Sequence, residues 1–252
     1  MDKIINLKLI NEIFQKESLK QGLNGVFGVT SFDSVYNSLM PIQKESLKKL
    51  CVKNFGKLME QGSIICIAYA YPEYAIDAIG LKKGNDYDFE AWNIYGQEYR
   101  RLNKALDETT ERLAKEINSL NIPSTFSSDN IEHVEEYYAP AVFSHRVAAE
   151  LAGVGWRGKN ELIVNPLYSC AIRLSSVITS SNIECTPPIE MDCGSCEACL
   201  NACSFLRFKD KLPNYREQCM HYLDSIPVLS GVCGKCIKAC YRDSIYKNKF
   251  KL

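Results

Sequence analysis

Eight of the twelve cysteines fall between residues 193 and 240, and their spacing constrains this chain more than any other feature. The run DCGSCEACLNACSF sets Cys193, Cys196, Cys199 and Cys203 at CxxCxxCxxxC. That spacing is too tight for a disulfide framework and suits a metal centre that draws several thiolates from one loop. A second run, GVCGKCIKAC, gives Cys233, Cys236 and Cys240 at CxxCxxxC and is one thiolate short; Cys219 is the obvious supplier. The total of four plus four matches the demand of two 4Fe-4S clusters. In two-cluster ferredoxins the last cysteine of each run crosses to the other cluster. The expected partition is therefore Cys193, Cys196, Cys199 and Cys240 on one cluster, with Cys203, Cys219, Cys233 and Cys236 on the other. Zinc is the competing reading, but paired CxxC zinc sites usually keep ~15 to 20 residues between pairs, and one tetrahedral ion leaves ligands unused here. Ser204 and Tyr241 stand where a proline often follows the last cysteine of a cluster run.

The chain has 252 residues, 46% of them hydrophobic, which is ample for a core. Thirty basic and thirty acidic residues cancel, so no global field draws the protein to a polyanion or an anionic membrane. The start, MDKIINLKLINEIFQKE, spaces charge through its apolar residues and predicts an amphipathic helix, not a signal peptide. No run approaches the ~18 apolar residues of a membrane span. A cytoplasmic location is expected, where thiols stay reduced and serve metal or redox chemistry. The other cysteines, Cys51, Cys66, Cys170 and Cys185, receive no chemistry; Cys51 and Cys66 read as small buried hydrophobes.

Helical spacing of Leu47, Leu50, Cys51, Phe55, Leu58 and Met59 predicts one helix over 46–61, and SIICIAYAYP predicts a buried strand. A long helix is expected over 95–120, a strand over 124–127, a helix over 145–152, and strands at ELIVNP and RLSSVITS. Pro187-Pro188 reads as a linker. The expected fold is α+β: an α/β body of residues 1–184, then a ferredoxin-like double-cluster module of residues 185–252.

The segment SHRVAAELAGVGWRGKNELIVNPLYSCAIRLSSVITS, followed by the cysteine pattern, resembles the epoxyqueuosine reductase family, whose members carry an AGLGWIGKN stretch before two 4Fe-4S clusters. Weaker similarity extends upstream through AYAYP and YGQEYRRLNKAL, so most of the chain is covered. The resemblance implies a corrinoid-binding α/β body and a base-off cobalamin to which the clusters deliver single electrons. It thus implies an enzyme, an iron-sulfur oxidoreductase reducing a small-molecule or nucleoside-like substrate and drawing on an external donor such as a flavodoxin or ferredoxin. The alternative is a ferredoxin-type relay that docks a partner and performs no substrate chemistry.

The sequence departs from the family in two places. The family's proposed proton donor is an aspartate two residues before an Ala-Pro pair; matched to Ala139-Pro140, that position holds Tyr137, and an ungapped count back from Ala152 lands on Ala139. His145, the nearest group titrating near neutral pH, is the candidate donor, with Tyr137 as the other. The chain also ends at CYRDSIYKNKFKL, where tRNA-modifying members continue; together with the zero net charge, this makes tRNA a doubtful substrate. Toward the corrinoid, the candidates are Tyr95, Tyr99, Trp156, Lys159, Asn160 and His221, with plain packing as the competing role for the aromatic residues and His221. The glycines of AGVGWRGKN are no phosphate loop, since Asn160 follows Lys159 where a Ser or Thr is required.

Overall fold

The computed structural model describes residues 5–124, 143–212 and 214–246. Tyr137 lies outside them. The chain mixes helix and sheet and forms two compact units, each from separated segments. A sheet unit takes residues 1–69, 103–156 and 173–190; a cysteine unit takes 70–102, 157–172 and 191–252. The boundary expected near residue 184 thus moves to Glu190, and two stretches expected in the body pack with the cysteine-rich tail.

The sheet unit is built on four strands, β1 (Gly25–Ser31), β2 (Ser63–Ala70), β3 (Leu120–Ile122) and β4 (Ile172–Thr179), in the order β1-β2-β4-β3. β1 and β2 pair antiparallel from Gly25↔Tyr69 to Ser31↔Ser63, and β3 and β4 pair antiparallel from Leu120↔Ile178 to Ile122↔Ser176. Every residue of β2 is buried, as its unbroken apolar run demands of a central strand. The first helix, Leu7–Gln21, is capped by Asn6, whose Oδ1 accepts from the Leu9 amide at 3.0 Å. Its Phe14 packs against Phe27 of β1 and Tyr69 of β2 at ring distances of 5.5 and 5.9 Å.

Several elements differ from expectation for local reasons. The helix expected over 46–61 is two, Pro41–Leu50 and Phe55–Gln61, because the weak helix formers Asn54 and Gly56 sit at the join and the Asn54 amide closes a turn on the Cys51 carbonyl. The third strand is Leu120–Ile122, earlier than expected, and ELIVNP keeps only Ile163–Val164 as strand. Strand β1 and the helix Phe32–Ser38 had no counterpart in the sequence reading. The long helix runs Phe89–Glu116, and the helix His145–Leu151 forms as expected, its Ser144 Oγ accepting from the Val147 amide.

Pro187-Pro188 is no free linker. Thr186 joins β1 through its amide to the Val29 carbonyl (2.8 Å) and accepts from the Val29 amide on Oγ1 (2.9 Å). Its hydroxyl also donates to the Ala152 carbonyl. This close packing needs Gly28: a Cβ there would lie 1.9 Å from the Ala152 oxygen. Among the described residues no helix is long and apolar enough to cross a membrane.

Candidate metal centres

All eight clustered cysteines lie in the cysteine unit. Cys193 begins a turn in which the Cys196 amide donates to its carbonyl at 2.9 Å, and Gly194 takes a positive φ of 46°. Asp192 Oδ1 accepts from the Gly194 amide at 2.6 Å, and Lys159 Nζ donates to the Gly194 carbonyl at 2.8 Å. The short helix Ala198–Ala202 carries Cys199, with Cys203 at its end. Cys219 sits on the helix Tyr215–Ser225, and Cys236 and Cys240 sit one turn apart on Lys235–Asp243.

Gly234 starts that last helix at φ 75°, and a Cβ there would meet Ile79 Cδ1 at 2.7 Å and the Tyr95 ring at 2.8 Å. Trp92 Nε1 donates to the Cys233 carbonyl at 2.7 Å, tying the start of the long helix to the second cysteine run. Beside it Lys235 Nζ sits 4.5 Å from the Tyr87 ring centre, 5.1 Å from that of Trp92 and 5.4 Å from that of Tyr222, and donates to both tyrosine hydroxyls at 3.1 Å. The buried face of Lys235–Asp243 thus falls on Ala239 and Cys240.

The electrostatic neighbours of these thiols divide them. Cys199 feels Cys240, Cys193 and Cys196; Cys219 feels Cys203 and Cys233; Cys236 feels Cys233, Cys203 and Cys219 most, and Cys199 least. Burial pushes the Cys199 and Cys219 thiols up to about 11, and burial with neighbouring thiolates drives Cys236 higher still. Desolvated thiols of this kind stay protonated until a cation takes the charge, so loading a metal releases protons. Cys240 is the exception. A hydrogen bond from Cys170 holds it below the usual thiol range, against the desolvation that would raise it.

Among the described residues no three His, Cys, Asp or Glu side chains form a group fit for a metal ion. A four-thiolate zinc site brings its sulfurs to about 3.8 Å of one another. A cubane carries each thiolate on a different iron and asks for a wider frame.

Cys170 is what sequence reasoning missed. It is 1% exposed, and Asn160 Nδ2 donates to its sulfur at 3.2 Å. No spacing signal pointed to it, because its neighbour Cys240 is distant in the chain.

The other candidate side chains are largely spoken for. His145 is buried in the sheet unit, its Nδ1 2.9 Å from Ser176 Oγ and its Nε2 2.9 Å from the Pro123 carbonyl. The carbonyl can only accept, so Nε2 carries the hydrogen and Nδ1 takes one from Ser176. Desolvation lowers its pKa to about 4, with the Arg173 charge adding to the effect against the Pro123 bond. So placed, His145 is neutral near pH 7 and holds no second proton to donate. Tyr95 is buried against Tyr71 at a ring distance of 4.9 Å; Trp156 is also buried, and Tyr99 is half-buried. Lys159 is engaged with Gly194, and Asn160 with Cys170 and, through Oδ1, the Leu162 amide at 3.2 Å. His221 has a side chain 54% exposed, 3.9 Å from Glu217.

No family model matches the chain. A curated relative, the epoxyqueuosine reductase of Listeria monocytogenes, is 33% identical over 147 residues, 57% of this chain and 35% of that protein. The chain thus spans about a third of the length of the curated relatives it matches. The solved epoxyqueuosine reductase of Streptococcus thermophilus aligns with 96% of this chain and 66% of its own at 19% identity and a TM-score of 0.52. Another solved structure, at 24% identity and a TM-score of 0.44 over 79% of this chain and 52% of its own, is of epoxyqueuosine reductase with an epoxyqueuosine-modified tRNA-Tyr stem loop.

The expectation that tRNA is a doubtful partner is corrected here. Enzymes bearing the relatives' name include one bound to a tRNA stem loop. Zero net charge was a poor guide because phosphates are met by local contacts, and a sum over the whole chain says nothing of where its charges lie. By sequence and by fold, the chain is related to the epoxyqueuosine reductases.

Proposed function

We propose that the chain is an iron-sulfur reductase acting on a modified nucleoside carried by a tRNA. Cys193, Cys196, Cys199 and Cys240 hold one 4Fe-4S cluster, and Cys203, Cys219, Cys233 and Cys236 hold the other. The single observation that carries this is the division of eight buried or half-buried thiols into two neighbour groups of four. The donor set is all sulfur, which suits iron-sulfur clusters. Bound clusters supply single electrons at low potential. The residues of this chain bury the thiols, fix the turn at Gly194 and hold the Cys233 carbonyl on Trp92.

The relatives' name brings the nucleoside substrate to this reading, and the resemblance brings a corrinoid. Bound corrinoid supplies low-valent cobalt, a reductant beyond the reach of side chains. Of its candidate residues, Lys159 and Asn160 are engaged with the cysteine loops, and Tyr95 and Trp156 are buried. These residues as they stand do not compose a corrinoid cradle. A second reading, an electron relay without substrate chemistry, is favoured by the neutral, doubly hydrogen-bonded His145.

Anaerobically purified protein separates these readings. Iron and acid-labile sulfide, with a brown absorbance that bleaches on dithionite, are expected; colourless, iron-free protein sinks the proposal. Dithionite-reduced protein should convert the epoxyqueuosine of a tRNA stem loop, read by nucleoside mass spectrometry in parallel samples with and without added cobalamin. Clusters without conversion leave the relay.

A further inference from the structure

The sheet unit carries a surface where unpaired lysines stand beside aromatic rings. Residues 41–61 hold Lys44, Lys48, Lys49, Lys53 and Lys57 against Glu45 and Glu60, and the neighbouring helix Phe32–Ser38 adds only Asp33. Five lysines against three carboxylates leave an excess of two positive charges in a chain whose total is zero. Among the described residues, none of these five ammonium groups enters an ion pair. The basic residues on the 103–116 stretch of the long helix do: Lys104 meets Glu108 at 4.0 Å, Arg112 meets Glu116 at 2.6 Å and Lys115 meets Glu111 at 3.2 Å. Charge on that helix is cancelled locally, and over 41–61 it is not.

Two of the five lysines cap rings. Lys44 and Lys48 lie one turn apart on Pro41–Leu50, with Lys44 Nζ 5.9 Å from the Tyr36 ring centre and Lys48 Nζ 5.7 Å from that of Phe55. Tyr36 and Phe55 meet edge to face at 5.0 Å and 70°. A third ring, the fully buried Phe32, stacks on Tyr36 at 6.2 Å and meets Phe55 at 6.1 Å, which fixes both. Tyr36, Phe55 and Lys44 are half-buried and Lys48 is exposed, so rings and charges both reach solvent.

We propose that Tyr36, Lys44, Lys48 and Phe55 form a contact surface for the unpaired loop of the RNA substrate, with the rings against bases and the ammonium groups against phosphates. The inference rests on the tRNA-directed reading above and adds where the RNA is held. Every base has a π-face that stacks on an aromatic ring, and each lysine that meets a phosphate releases a condensed counterion. Stacking a base on a ring outweighs an exposed cation–π pair, so an arriving base displaces the lysine from the ring and the freed ammonium turns to the flanking phosphate. Double-helical RNA keeps its bases stacked inside and offers this surface phosphates alone, so an unpaired loop fits it better. These residues position the RNA and take no part in its reduction.

The test is fluorescence anisotropy of a labelled tRNA stem loop, and of a blunt RNA duplex of the same length, titrated with anaerobically purified protein at salt from about 50 to about 200 mM. Wild type is expected to prefer the stem loop. Lys44→Gln combined with Lys48→Gln should weaken binding and lower the salt slope by about 0.7 for each lysine, and Lys44→Arg combined with Lys48→Arg should keep the slope. Tyr36→Leu should weaken the stem loop about tenfold without changing the slope. Lys104→Gln combined with Lys115→Gln, where the charges are already paired, should match the wild type. Urea midpoints on the same samples separate lost binding from lost fold, and the lysine pair decides the matter if Tyr36→Leu unfolds. Wild-type affinity and slope in the Tyr36 and Lys44/Lys48 variants overturn the surface and leave the tRNA reading standing. An equal loss in the Lys104/Lys115 control reports diffuse attraction and overturns it too, as does a duplex bound as tightly as the stem loop. If the lysine pair keeps its RNA binding but loses binding to anionic phosphatidylglycerol vesicles, the surface serves a membrane and the proposal falls. Wild-type protein that carries iron and binds no stem loop fails the tRNA reading itself and takes the inference with it.

Discussion

Ser176 donates from its hydroxyl to His145 Nδ1 across 2.9 Å, while the other ring nitrogen donates to the Pro123 carbonyl at the same distance. The imidazole thus closes a path from strand β4 to the end of β3 and has no nitrogen left over. Its electrostatics follow from that position, since a charged ring would lack water in a fully buried site.

This makes acid stability a readout of His145. Folding holds its pKa at about 4, below the ordinary 6.5, so the unfolded chain takes up the proton first. Stability present above pH 6.5 is therefore lost as pH falls toward 4, at about 1.4 kcal/mol per pH unit. Urea unfolding under anaerobic conditions at pH 6.5, 5.5 and 4.5 should approach this slope in the wild type and show a flatter one in His145→Gln. Equal slopes would mean that the ring is solvated or already charged.

Cys219→Ala should cost one cluster and spare the other. Iron is expected to fall to about half of the eight irons that two cubanes hold. Cys219 feels Cys203 and Cys233 and not the group around Cys199, so its loss should be confined to one group. Retention of full iron would refute the partition.

Gly234→Ala should damage the second cysteine run without touching a ligand. The φ of 75° is strained for any residue with a Cβ, and the added atom would meet Ile79 and Tyr95 at under 3 Å. Strain of this kind is worth about 1–3 kcal/mol. Lower unfolding midpoints and faster loss of iron on standing are expected; a fully stable variant would show that the helix start can shift.

Lys235→Met should destabilise the cysteine unit by about 1–2 kcal/mol, because the ammonium sits over the rings of Tyr87, Trp92 and Tyr222 and is bonded to two hydroxyls. Methionine keeps the stem and loses the charge. Chemical denaturation in low and high salt checks this, and an unchanged midpoint would place the interaction among exposed pairs of no consequence.

Local signals served well in this chain. The unbroken SIICIAYA run announced a buried strand, the stretch over 145–152 announced the helix that forms at His145–Leu151, and the two cysteine runs announced a thiol-rich unit whatever metal it takes. Signals that depend on distant partners did not. GVFGVTS has glycines that weaken it as a strand, yet Gly28 is required because the Ala152 carbonyl approaches it. Pro187-Pro188 looked like punctuation, while Thr186 beside it is bonded to β1. Cys170 was assigned no chemistry, and only tertiary structure sets its buried thiol against Asn160. Lys159 and Asn160 were attributed to a cofactor by analogy; their actual partners are Gly194 and Cys170, neither of which periodicity can reveal.

The interleaving of the two units has a consequence for biosynthesis. The sheet unit is incomplete until residues 173–190 have been made, and the cysteine unit draws on 70–102 and 157–172 as well as on everything after 190. A nascent chain therefore emerges from the ribosome with both halves begun and neither finished, and the clustered cysteines of residues 193–240 are made after both.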